Sequence, residues 1–180
     1  PEVSSVERVS GFDTGVSSSD HITNTDTVVF KVTFTETMDL SSLSDADFEL
    51  VGSPALAGVT APTISLAANA DGTGTPTTNS DVVYVKATGG DLADYDGDLT
   101  LGLANSSSIQ DLAGNVSFDE ADDGASTEAY TIDNTAPDGT TMSFHYDSDF
   151  VPDSGVVRAG DELELQYQGY AHGDVETVVF

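Results

Sequence analysis

The sequence predicts an all-β chain, most simply an antiparallel sandwich, and three observations carry that reading. Apolar residues recur at every second position in several separate runs, the period of a strand with one buried face. Clusters of Gly, Ser, Thr, Asn and Asp stand between those runs and supply turns. No segment shows a convincing 3.6-residue period, although 38% of the 180 residues are hydrophobic, enough for a packed core.

Taken in order, the first strong run is "TVVFKVTFTE", with Val28, Phe30, Val32 and Phe34 on one face and Val29, Lys31 and Thr33 on the other. The stretch Leu40–Phe48 has room for a single helical turn, because Ser44-Asp45-Ala46-Asp47 suits a cap. Residues 67–80, "AANADGTGTPTTNS", are polar, rich in Gly and Pro, and aperiodic. They read as an exposed loop joining strands, mobile rather than ligand-binding, since they hold no aromatic residue. "DVVYVKAT" alternates Val83, Val85 and Ala87 with Val82, Tyr84 and Lys86, and "LTLGL" turns Leu99, Leu101 and Leu103 inward. Tyr130 and Ile132 form a further short strand that runs into "DNTAP", and "ELELQYQ" repeats the alternation with Leu163, Leu165 and Tyr167.

Charge narrows the function classes. Asp and Glu number 32 against 4 Lys and Arg, for a formal net charge of −28. Such a surface repels phosphates, so nucleic acid and anionic membranes are poor partners, and no nucleic-acid partner is expected. Membrane insertion is not expected either, because no run approaches the ~20 apolar residues of a spanning helix. Two sources of acidity fit: a solvated surface suited to a saline habitat, and carboxylates that hold cations against their own repulsion. Cysteine is absent and the three histidines, His21, His145 and His172, lie far apart. Neither a thiolate nor a zinc pattern is present, so a bound metal should be hard and oxygen-ligated, calcium first. The chain opens at Pro1 with no leader, so the expectation is a segment of something longer, with any export signal elsewhere.

Five blocks then occur in a recognisable order: "FDTGVSSSDHITN" (12–24), "VVFKVTFTETMD" (28–39), "SDADFEL" (44–50), "SSIQDLAGN" (107–115) and "YTIDNTAP" (130–137). Together they resemble the bacterial immunoglobulin-like repeats of giant secreted surface adhesins, including the acidic repeat proteins of the RTX type. The resemblance spans residues 1–137 and departs at the long loop 67–80. It implies an immunoglobulin-like β-sandwich, strung in tandem with neighbouring repeats of the same chain, with calcium stiffening the joints. Localisation would be secreted or at the bacterial cell surface.

Calcium requires about six to eight oxygens at one point, and a sandwich gathers loops at two poles. Asp133 and Asn134, on the final strand before the joint, are the first candidates as ligands, and Pro137 would stiffen that joint. Asp111 in the "DLAGN" turn, and Asp13, Asp20 and Asp26 in and after the "FDTG" loop, are the others. Each has an ordinary reading as a turn former. "DLADYDGD" (91–98) has the odd spacing of a helix-loop-helix calcium loop, but Leu99 stands where glycine belongs, so a polar hairpin is expected. "DEADDG" (119–124) reads as a solvated loop. No Gly-x-Ser-x-Gly elbow occurs and no histidine has a nucleophile context, so the chain is not read as an enzyme. The sequons at Asn105 and Asn115 are short enough to arise by chance.

Residues 138–180 restart the plan seen after Pro1. "TMSFHYD", an Asp-x-Gly turn at 153–155 and "DELELQYQ" follow in order. They are too few for a sandwich of about 100 residues, so a partial second β domain is expected, incomplete or completed by another chain. The function expected is an extender or spacer in an adhesin serving cell adhesion and biofilm attachment. The alternatives are a tip domain binding a glycan or peptide on a host or biofilm surface, using Tyr95, Tyr146 or Tyr170, and a strand-exchanging filament or surface-layer subunit.

Overall fold

A computed structural model describes residues 1–15, 17–56, 60–104, 109–116 and 126–136, and the strands Met142–His145 and Glu164–Tyr167. The chain divides into two compact units, Pro1–Asn134 and Thr135–Phe180. Residues 137–140, where the sequence puts a boundary, lie outside those described.

The first unit is all-β with short 3₁₀ turns. Its strands are β1 (Val3–Arg8), β2 (Ile22–Thr23), β3 (Thr27–Met38), β4 (Phe48–Ser53), β5 (Thr63–Ala67), β6 (Ser80–Thr88), β7 (Gly97–Leu103), β8 (Ser126–Thr127) and β9 (Tyr130–Ile132). One sheet has the order β5-β6-β3-β1-β8 and the other β2-β9-β7-β4. Pairing is antiparallel except for β1 with β8 and β2 with β9. Both sheets turn apolar faces into one shared core: Val28, Phe30, Val32, Val83 and Val85 from the first, Phe48, Leu99, Leu101, Tyr130 and Ile132 from the second. Period-2 patterning therefore works as expected, since a one-residue slip would turn each of these side chains to solvent.

Tyr130 links the sheets. Its ring meets Phe30 edge to face, centroids 5.2 Å apart at 76°. Its hydroxyl accepts the Val9 N–H at 2.9 Å and lies 2.8 Å from the carbonyl oxygens of both Val9 and Val29. The Arg8 guanidinium sits 6.0 Å from the ring centroid, within cation–π range.

Loop 68–79 does more than join β5 to β6. Its first half closes on itself through Ala68 N–H to Gly74 O and Asn69 N–H to Thr73 O, and Asp71 caps Thr73 at both N and Oγ1. This small turn folds back over the outer face of the sheet, where a Cβ on Gly72 would stand 2.9 Å from Val29 Cγ2. Val29 is consequently buried although it faces away from the core. Local Asx capping and glycines at positive φ make the first half of the loop a built turn. The expected helical turn at Leu40–Phe48 is two 3₁₀ turns, Leu40–Ser42 and Asp45–Asp47, the latter with a Ser44–Asp47 capping box.

In the second unit β10 (Met142–His145) and β11 (Glu164–Tyr167) pair antiparallel, Met142 opposite Tyr167. No helix among the described residues is long and apolar enough to cross a membrane.

Candidate functional site

The two ends of β3 define the two ends of the first unit, and the candidate carboxylates separate between them. Twelve extended residues span about 40 Å. At the Thr27 end, Asp133 donates its N–H to Thr23 O, Thr131 donates to His21 O, and Asp26 O accepts from Gly89. Asp13, Asp20, Asp26, Asp133 and Asn134 all belong to this end. At the Met38 end, Met38 forms a bridge with Asp111. Asp111 is therefore far from the others, because the "DLAGN" turn and the final strand cap opposite ends of the sandwich-like unit.

Asp111 is 5% exposed and serves its own turn. Its Oδ1 accepts from the N–H of Ala113 (2.7 Å) and Asn115 (2.8 Å), and its Oδ2 from the Asn115 amide at 2.7 Å. The Asn115 side chain, then its backbone, hold the Asp111 carboxyl below the usual carboxylate range. A depressed pKa means the turn is supported above the ordinary carboxylate pKa and released as pH falls through the lowered one. Asp111→Ala should shift the amide NMR signals of Ala113 and Asn115 at neutral pH, whereas in the native chain they should move only on strong acidification. Unmoved signals in the variant would mean that Gly114, at φ +82°, makes the turn alone. The same bonds occupy the Asn115 amide nitrogen, which sets this sequon aside; Asn105 lies outside the described residues.

Asn134 is likewise a staple. Its side-chain amide donates to Leu92 O (2.9 Å) and Tyr95 O (2.8 Å), and its N–H to Asp96 Oδ1 (2.6 Å). Asp20 accepts the Ile22 N–H, while exposed Asp26 lies 3.5 Å from the Thr27 hydroxyl. Across the 91–98 segment, Asp91 accepts from Thr60, Asp96 from Asn134 and Asp98 from Thr131. These carboxylates serve separate partners, within a 3₁₀ turn (Gly90–Asp94) and the start of β7 rather than a hairpin turn. Residues 119–124 lie outside the described set.

Asp13 stands apart. It is 8% exposed; its Oδ2 accepts the His21 N–H at 3.1 Å, and its buried Oδ1 has no hydrogen-bond partner. His21 holds φ +72° and keeps its ring half-exposed, with Nδ1 3.9 Å from Asp13 Oδ2. Next in sequence, the Thr14 hydroxyl meets the Thr23 hydroxyl at 2.7 Å and donates to Asn24 Oδ1 at 3.2 Å. Oxygen donors thus line this end. Among the described residues, however, no three His, Asp or Glu side chains converge closely enough to hold a metal by themselves.

The ordinary role of the aspartates as turn formers extends to bonds between distant segments, such as Asp45 to Leu66 and Asp91 to Thr60. Among the described residues at least nine aspartates accept backbone N–H groups: Asp13, Asp20, Asp39, Asp45, Asp47, Asp71, Asp91, Asp96 and Asp111. Part of the acidity is therefore architectural. Tyr95, an expected ligand platform, is 5% exposed and its phenol donates to Pro54 O or Asp98 O, which removes it from that role; Tyr146 and Tyr170 are outside the described residues. No protein-family model, no curated protein and no solved structure matches the chain.

Proposed function

We propose that residues 1–137 form an immunoglobulin-like β-sandwich acting as a calcium-rigidified extender of a bacterial cell-surface adhesin, in cell adhesion and biofilm attachment. The observation that carries this reading is polarity. The chain comes in at the Met38 end of β3, where Glu2 exchanges hydrogen bonds with Thr35, and leaves at the Thr27 end, where Asn134 is stapled to Leu92 and Tyr95. A unit with its chain ends at opposite poles adds about 40 Å of reach each time it is repeated. The candidate ligands divide between those same poles, Asp111 at one and the rest at the other, where a neighbouring repeat would approach.

The orphaned Asp13 Oδ1 supports a cation at the leaving pole. A buried carboxylate oxygen without a partner is costly, and a bound calcium would supply the missing charge. Asp13 would be the anchoring ligand, and water or the next repeat would complete the shell; Asp20, Asp26, Asp133 and Asn134 stand at the same pole, where no three of the described carboxylates converge. The whole chain, followed by small-angle scattering, tests this. Calcium should lengthen and narrow its distance distribution, a chelator should reverse the change, and matched sodium chloride should leave it as it was. Equal effects of both salts would assign the change to screening.

A further inference from the structure

The sheet edges are not treated alike. At the edge of the first sheet, β5 has its outward Leu66 N–H taken by the Asp45 carboxylate at 2.8 Å. An arriving strand would find that donor occupied and meet a negative charge. β8 and β2, the edges on the other side, are two residues each. β4 is different: six residues long and paired only with β7. The bond from Ala104 N–H to Asp47 O sets the phase of that ladder. Glu49, Val51 and Ser53, in step with Asp47, exchange bonds with β7, so Leu50 and Gly52 turn their N–H and C=O groups off the free edge. No strand lies beside them among the described residues. On the solvent face, Val51 is 48% exposed and the exposed Glu49 stands two residues away.

We propose that β4 is an acceptor edge for an extended segment of another protein, one that alternates apolar and basic residues. Outward N–H and C=O groups at every second residue fit an added strand. An alternating strand puts its basic residues on one face, where Glu49 offers a carboxylate, and its apolar residues on the other, beside Leu50, which packs against the core. Charge selects the occupant. A second copy of this chain, itself at −28, is repelled and brings another Glu49 onto the same face. A basic strand is drawn in by the field that excludes the copy.

The test uses the full chain and a synthetic peptide of about ten residues alternating Val and Lys, at physiological ionic strength. Saturable binding is expected, with slowed amide exchange at Leu50 and Gly52 and unchanged exchange at Leu66. Exposed Glu49 can be altered without disturbing the core, so Glu49→Lys should weaken the Lys peptide by about fivefold or more and improve binding of a Val–Glu peptide. A peptide of equal charge with proline at alternate positions lacks the backbone donors and should bind far less. If it binds as well, or if Leu50 and Gly52 exchange is unchanged at saturation, only the general field is at work and the proposal is overturned.

Discussion

Tyr130→Ala is expected to cost about 3–5 kcal/mol, the range for deleting a buried aromatic ring, against a total stability of roughly 5–15 kcal/mol for a domain. The ring is fully buried, tied edge to face to Phe30, and lies between the two sheets. Tyr130→Phe isolates the hydroxyl. It leaves the ring but strips a partner from Val9 and Val29, and should cost about 1–2 kcal/mol, since Val9 N–H keeps its 3.2 Å bond to Val29 O. The phenol also carries a pH signature. Burial pushes its pKa up to about 12 from an ordinary 10. The folded state thus favours the neutral phenol, so this stabilisation is complete below pH 10 and is lost as pH rises towards 12. Two units correspond to about 3 kcal/mol. Tyr95, also raised by burial, acts in the same direction. Thermal melts across this window should show the native chain losing stability more steeply than Tyr130→Phe. Parallel curves would mean that the Tyr130 phenol is not the buried one that titrates.

The contrast between Tyr130 and the aspartates shows what a sequence can reveal about such a chain. Val28, Phe30, Val32 and Phe34 announce their face by period alone, because a strand has only two faces and one of them is buried. Their burial follows the alternation. Caps made within a few residues are legible in the same way: Asp39 with Ser41, Asp71 with Thr73, and Asp111 with Asn115 follow from short Asx spacing. Asp45 on Leu66, Asp91 on Thr60 and Asp96 on Asn134 span many residues. They exist only once the sheets are in place, so nothing local marks them. Tyr130 reads as one more apolar strand residue because its hydroxyl finds partners in the other sheet. The distribution of the candidate ligands between two poles is hidden for the same reason. "DLAGN" and "IDN" look alike as acidic turns, and only the strand order puts Asp111 at one end and Asp133 at the other.

Asp13→Asn should change sign with calcium. In a chelator the native chain holds a buried carboxylate whose Oδ1 has no partner. Replacing the carboxylate by a neutral amide of the same shape removes the cost of burying that charge. The Oδ2 side can still accept the His21 N–H through the amide oxygen. The variant should therefore melt at or above the native temperature when calcium is absent. With calcium at a hundredfold excess over its Kd, binding to the folded state alone adds about 2.7 kcal/mol. The native chain should gain that amount, and the variant should lose most of it along with the anionic ligand. The two melting curves must then cross as calcium is added. Asp71→Asn, on the small turn over Val29, is the control and should shift both conditions equally. A variant less stable than the native chain by the same margin with and without calcium would make Asp13 a cap for His21 and nothing more. Gains of equal size in both chains would place the ion elsewhere, with Asp111 at the opposite pole the next residue to replace.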